Sequence, residues 1–134
     1  MTSCYLDASA IVKLVADEPE SAALRAWVLE QSRLVTNRIS SVEVVRALRR
    51  KGAQGSRRAL GAVQAAFQSV AILELDAAVA ERAANLVPPT LRSLDAVHLA
   101  SALSLADEVD VLVTYDQRLA DAARAASLTV VAPA

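Results

Sequence analysis

Apolar positions follow two rhythms along the chain. Short unbroken runs suited to strands covered on both faces fall at Ser3–Leu6, Leu34–Thr36, Ala71–Leu75, Val111–Thr114 and Leu128–Val131. Between them the spacing lengthens to that of helices. Ala8–Val15 turns Ile11, Val12 and Leu14 inward, and Ser21 to about Gln31 repeats Leu24, Trp27 and Val28. Ser40-Ser41-Val42-Glu43 opens a helix to Lys51 with Val44, Ala47 and Leu48 on one face. Further helices are predicted from Ser56 to about Val70, over Ala77–Leu86 behind an Asp76 cap, from Leu94 to about Leu105 behind a Ser93 cap, and after Asp116 to Ala126. Pro19, Gly52, Gly55 and the pair Pro88-Pro89 supply the breaks. Strands alternating with helices predict an α/β fold, a parallel β-sheet flanked by helices with right-handed crossovers. The two helices either side of Gly52 and Gly55 lack a strand between them and are expected to form a projecting helical hairpin. With no repeat, low-complexity stretch or linker, residues 1–134 are expected to be a single domain.

Composition sharpens this in three places. At 134 residues the chain can bury roughly two-thirds of its unfolded surface without disulfides or a structural metal, and its one cysteine, Cys4, lies in a strand run as a small core residue. Apolar residues make up 54% but aromatics only 3%, so the core is built from closely packed alanine-rich helices, with apolar surface to spare for a partner. No basic and apolar leader precedes Asp7, and the longest uncharged run, Ala59 to Leu73, is too short to span a bilayer. A cytoplasmic location without a membrane is therefore expected. The net charge is only −1, yet Arg38, Arg46, Arg49, Arg50, Lys51, Arg57 and Arg58 crowd one stretch against a single acid, Glu43. That stretch is either a solvated helix face or a surface for phosphates or an acidic partner.

Four acids carry the chemistry. Asp7 and Asp116 each end an apolar strand just before a helix, which sets both on the carboxyl edge of a parallel sheet, where open α/β sheets hold ligands. Singly each is as well explained as a helix N-cap; Glu43 has capping-box spacing from Ser40, and Asp95 sits where a helix dipole favours an acid. Gathered in one cleft, however, they would repel by roughly 4 kcal/mol per close pair at an effective dielectric of 20, and would need a cation or retained protons. Oxygen-only ligation favours Mg²⁺ or Mn²⁺ over zinc, since only His98 and Cys4 offer nitrogen or sulfur. Hydrolysis of a phosphodiester is the chemistry that best uses such a site. A metal-free ribonuclease mechanism, with one imidazole as base and a second as acid, is excluded by the lone histidine.

Tyr5-Leu6-Asp7-Ala8-Ser9-Ala10, Ser41-Val42-Glu43-Val44-Val45-Arg46-Ala47, Leu94-Asp95-Ala96-Val97-His98-Leu99-Ala100 and Thr114-Tyr115-Asp116-Gln117-Arg118-Leu119 resemble, in order and spacing, the four acidic motifs of PIN-domain proteins, and most of all the VapC-type ribonuclease toxins of toxin–antitoxin pairs. The resemblance implies a Mg²⁺- or Mn²⁺-dependent endoribonuclease acting on a structured RNA such as tRNA or rRNA, leaving a 5′-phosphate and a 3′-hydroxyl, restrained by a cognate antitoxin and assembled as a homodimer. It implies Asp7, Glu43, Asp95 and Asp116 as the catalytic and metal-binding set. Ser9 and Thr114 are implied as hydroxyl donors to the metal's water shell, or as holders of the backbone. Arg46 is either a helical charge partner of Glu43 or a phosphate contact, and His98 orients or packs near Asp95. Asp121 reads as an exposed helix residue. Arg38, Arg49, Arg50 and Lys51 are the candidate surface for RNA or the antitoxin.

Other classes fit less well. A phosphoacceptor signalling domain needs a second acid beside Asp7 and a lysine after its last strand; Ala8 follows Asp7 and no lysine occurs beyond Lys51. A haloacid-dehalogenase phosphatase needs Asp-x-Asp, and Ser9 takes the second place. The remaining alternative is a catalytically silent PIN-like module that binds RNA or protein.

Overall fold

The computed structural model of the chain describes residues 2–52 and 57–134. At its centre lies β1 (Ser3–Leu6), whose Cys4, Tyr5 and Leu6 have no exposed surface, as a strand covered on both faces requires. It pairs in parallel with β2 (Arg33–Asn37) on one side and β4 (Val111–Val113) on the other; β3 (Ala71–Leu73) and β5 (Thr129–Val131) complete the order β3-β2-β1-β4-β5. The order reverses direction at β1, so the carboxyl ends of β1 and β4 flank the switch-point crevice.

Successive side chains of β1 serve opposite faces. Tyr5 lies in register with Val35 and Leu112, and together they form one core with Leu99 and Ala102 of α6 (Ser93–Ser104) and Leu119, Ala122 and Ala123 of α7 (Gln117–Ala125). Cys4 and Leu6 face the other way, onto Ile11 and Val12 of α1 (Ala8–Val15), Leu24 of α2 (Ser21–Leu29) and Val44 and Leu48 of α3 (Ile39–Arg50). Trp27 packs against this second core, partly buried, in the anchoring role its sequence position suggests. The remaining helices are α4 (Arg57–Gln68) and α5 (Ala77–Ala84), the latter capped by Asp76 as expected.

Several boundaries differ from expectation by a residue or two. β3 ends at Leu73 because its carbonyl accepts the Arg38 amide where β2 gives way to α3, so pairing has nothing further to follow. α3 begins at Ile39, with Arg38 rather than Ser40 at the cap position, since Asn37 Oδ1 accepts the Ile39 amide at 2.9 Å. Among the described residues no strand separates α3 from α4, and both pack against α1. The turn of the expected hairpin includes residues 53–56, which lie outside the described residues. Among the described residues no helix is long and apolar enough to cross a membrane.

Leu112 is buried at the centre of the sheet whereas Leu29 is 86% exposed. Leu112→Ala should therefore cost about 2–5 kcal/mol and Leu29→Ala under about 0.5. Urea midpoints with an unchanged denaturant slope are the measurement; equal costs would show that the sheet does not hold the main core.

Candidate active site

Local sequence explains how each acid reaches the crevice. Asp7 follows β1 and caps α1, its Oδ1 accepting the Ala10 amide at 3.0 Å; Asp116 follows β4 and caps α7, its Oδ1 accepting the Leu119 amide at 3.0 Å. Capping uses one oxygen of each carboxylate, Oδ1, and leaves Oδ2 for other partners. Glu43 projects from the second turn of α3, whose start is fastened by buried polar side chains at the end of β2. Thr36 donates to the Leu6 carbonyl at 2.6 Å and so accepts from the Ser40 hydroxyl at 2.7 Å, while Asn37 donates to Ser101 on α6 at 3.0 Å. Ser40 thus ties helix to sheet rather than closing a capping box. Asp95 stands in the first turn of α6.

All four acids line one cavity of about 370 Å³ at the carboxyl edge of the sheet, with Ser9, Arg50, Arg92 and His98 also in its wall. The scattered carboxylates are brought together there. Asp7 lies deepest, 3% exposed. Ser9 donates to its Oδ1 at 2.7 Å and Thr114 to its Oδ2 at 2.5 Å; the same hydroxyls accept the amides of Tyr115 (3.0 Å) and Asp116 (3.1 Å). Each hydroxyl thus spends its proton on Asp7 and its lone pair on the β4–α7 turn, and so joins the two strand ends. Loss of hydration pushes the Asp7 carboxyl above the ordinary aspartate range, against the opposing pull of His98, both hydroxyls and the Ala10 amide. Burial also raises Asp95, with the charge of Asp116 adding to it and Arg92 opposing it.

His98 is 1% exposed and belongs to Glu43 rather than to Asp95: its Nε2 lies 2.6 Å from Glu43 Oε1, and its Nδ1 lies 2.7 Å from the Tyr5 hydroxyl. Burial raises the Tyr5 phenol, which keeps its proton. Donation from that O–H to Nδ1 leaves Nε2–H to donate to Glu43, a tautomer assigned from the network. The relay from β1 through α6 to α3 carries no sequence-spacing signal, because its members are separated by 93 and 55 positions.

The basic stretch divides. Arg38 forms a fork on Glu74, closest at 2.6 Å, and Lys51 pairs with Glu18 at 2.7 Å, so both have acids of this chain as partners. Arg46 and Arg49 are exposed on α3, and no Arg46–Glu43 ion pair occurs among the described residues. Arg50 reaches the acid cavity. Arg92, which the sequence reading passed over, bridges Asp95 Oδ2 (3.1 Å) and Asp116 Oδ2 (2.7 Å). Its i,i+3 spacing to Asp95 was the available signal. Asp121 is exposed on α7, beside Gln117 and Arg124 and away from the cavity.

Among the described residues no group of three or more His, Cys, Asp or Glu side chains is arranged to hold a metal ion as it stands. The carboxylates are engaged by hydroxyls, an imidazole and a guanidinium instead. By donor chemistry the cavity suits a hard divalent cation: the acids offer oxygen only, and two of them, Asp7 and Asp95, are raised by burial, the mark of negative charge incompletely offset.

Because the folded pKa of Asp7 exceeds its unfolded value, the folded chain binds the extra proton between the two. Stability should fall as pH rises from about 3.9 through the folded value, with the full penalty above it. Asp7→Asn should accordingly raise the urea midpoint at pH 7 in the absence of divalent ions, and the gain should shrink towards pH 4. A lower midpoint at pH 7 would mean that the donors around the carboxylate outweigh its burial.

Comparison with known proteins places the chain in a family. The sequence profile described as PIN domain matches residues 4–125, from β1 to the end of α7. Ribonuclease VapC46 of Mycobacterium tuberculosis is 41% identical over 133 residues, covering 99% of both chains, and Ribonuclease VapC35 of the same species is 42% identical over 96% of both. In fold the chain resembles M. tuberculosis VapC20, a sarcin-ricin loop cleaving toxin (TM-score 0.74, 18% identity, 97% of this chain and 99% of that one), and the toxin–antitoxin complex from Klebsiella pneumoniae (TM-score 0.68, 20% identity, 98% of each). Similarity at this level over nearly the whole of both chains, with a family match that spans every element delivering an acid to the crevice, means that the chain belongs to the PIN domain family.

Proposed function

We propose that this chain is an endoribonuclease, the toxin of a toxin–antitoxin pair, acting as a single domain over residues 1–134 with Mg²⁺ or Mn²⁺. The observation that carries the reading is the convergence of Asp7, Glu43, Asp95 and Asp116 from four separate elements onto one cavity. The names of the near-full-length relatives support the ribonuclease activity, and the solved complex supports a protein inhibitor.

Asp7, Asp95 and Asp116 would hold the cation, with Glu43 beside them. When bound, such an ion polarises the phosphoryl oxygen and makes water a stronger nucleophile near neutral pH. The chain's own residues do the rest. Ser9 and Thr114 keep Asp7 aimed while joining the ends of β1 and β4. Glu43, held by His98, accepts a proton from the attacking water at its carboxylate, and Arg50 at the cavity wall meets the phosphate. An imidazole capped by Tyr5 and committed to Glu43 is poorly placed to act alone on a 2′-hydroxyl.

For partners, Val42, Val45, Arg46 and Arg49 are exposed on α3 and Leu60 on α4, a mixture suited to an apolar and acidic antitoxin segment. The apolar groove between α5 and α6, lined by Leu75, Ala83, Leu86, Pro88 and Leu91, is where a second copy would pack in a homodimer. A silent binding module, the competing reading, gains no support from a cavity that retains all four acids.

Induction of the chain should arrest growth and degrade RNA, and co-expression of its antitoxin should reverse both. In vitro, cleavage should need Mg²⁺ or Mn²⁺ and fall at least about 100-fold in Asp7→Asn and Asp95→Asn. End-group analysis should find a 5′-phosphate and 3′-hydroxyl, whereas a 2′,3′-cyclic phosphate or equal toxicity of the Asn variants would refute the mechanism. Arg49→Glu combined with Arg50→Glu should weaken RNA cleavage, antitoxin binding or both by about 10-fold or more; no change in either would remove the basic face from the interface.

A further inference from the structure

The acids of the cavity are neutralised in two different ways. Asp7 and Glu43 are held by neutral groups built into α1, the end of β4 and α6: two hydroxyls, one amide and an imidazole. Asp95 and Asp116 share the guanidinium of Arg92, whose side chain is 60% exposed while theirs are 13% and 27% exposed. The oxygen Arg92 takes from Asp116 is the one that capping leaves over, and Arg92 is the single side-chain partner of Asp95 among the described residues. Its backbone stands in extended conformation at the cap position of α6, and the long, largely exposed side chain reaches the carboxylates from there. Across the same cavity Arg50 makes no ion pair among the described residues.

A solvent-facing guanidinium paired with two carboxylates is held weakly, because water and salt compete for both partners. A divalent ion, with twice the charge, would compete with it for Asp95 and Asp116. A guanidinium so released would remain tethered at the rim of the cavity, and its planar fork matches two phosphate oxygens. We propose that Arg92 is an exchangeable counter-ion: it holds Asp95 and Asp116 together when no divalent ion is bound, yields both carboxylates to that ion, and then binds a phosphate of the RNA strand. The proposal rests on the ribonuclease reading for its substrate, while its first half concerns this chain and the ion alone.

The two roles predict opposite effects of one substitution. In Arg92→Ala and Arg92→Gln, Mn²⁺ alone, titrated by calorimetry or by the electron paramagnetic resonance of free Mn²⁺, should bind about three-fold or more tightly than in the parent, because the competitor is gone. At saturating Mn²⁺ the same variants should show KM for RNA raised about 10-fold, with a smaller change in kcat, and Arg92→Lys should restore part of the loss. Circular dichroism and urea midpoints near those of the parent establish that the fold is kept, and the Gln variant preserves the stem if Ala does not fold. Unchanged or weaker Mn²⁺ binding in both variants overturns the counter-ion role, and an unchanged KM overturns the phosphate role. A parent chain that binds Mn²⁺ but cuts no RNA would instead count against the ribonuclease reading, leaving the Mn²⁺ comparison to decide the first half.

Discussion

Asp7 is a carboxylate with 3% of its surface left to water, placed at the end of a strand that is itself buried on both faces. Unpaired, such a group would cost several kcal/mol as an anion. The surrounding structure is arranged to reduce that cost. The first turn of α1 presents an amide to it, Ser9 comes from the same helix, and Thr114 crosses from β4. Since Ser9 and Thr114 also accept amides from the turn that carries Asp116, the hydrogen bonds that solvate one acid position another. The parallel topology makes this possible, because β1 and β4 are neighbours at the point where strand order reverses and their following helices both point amide N–H groups at the crevice.

The same double use of groups explains what was legible in the sequence. Asp7 and Asp116 show the pattern of strand, acid and helix that marks a cap, and both are caps; the functional and local readings did not compete because a carboxylate has two oxygens. Alternation of strand and helix runs gave the layers, since burial on both faces leaves a nearly continuous apolar signal. Glu43 was less readable. Its capping-box spacing from Ser40 is real in the sequence, but Thr36 and Asn37 at the end of β2 claim the helix start instead, through contacts that local spacing does not encode.

Charge was the hardest property to read. Arg38 and Lys51 look like free members of a basic run until Glu74 and Glu18 come alongside from other elements, 36 and 33 positions away. Arg92 shows one helical partner in sequence, Asp95, and turned out to hold a second acid 24 positions off. His98 was expected to orient or pack near Asp95; it shares the cavity wall with Asp95, but its two nitrogens serve β1 and α3. In each case the missing information was a partner on another element, which periodicity cannot supply.

The acids divide by what balances them. Asp7 and Glu43 are held by neutral donors, including the Tyr5–His98–Glu43 relay, and His98, at 1% exposure, cannot exchange its partner without opening the core. Asp95 and Asp116 are balanced by the charge of one exposed side chain on a long stem. On the proposed exchange, the Asp7 and Glu43 half would keep its geometry when ligands come and go, and the Asp95 and Asp116 half would admit an ion without breaking the hydrogen bonds that hold the first. Both halves line one cavity, with Arg92 in its wall.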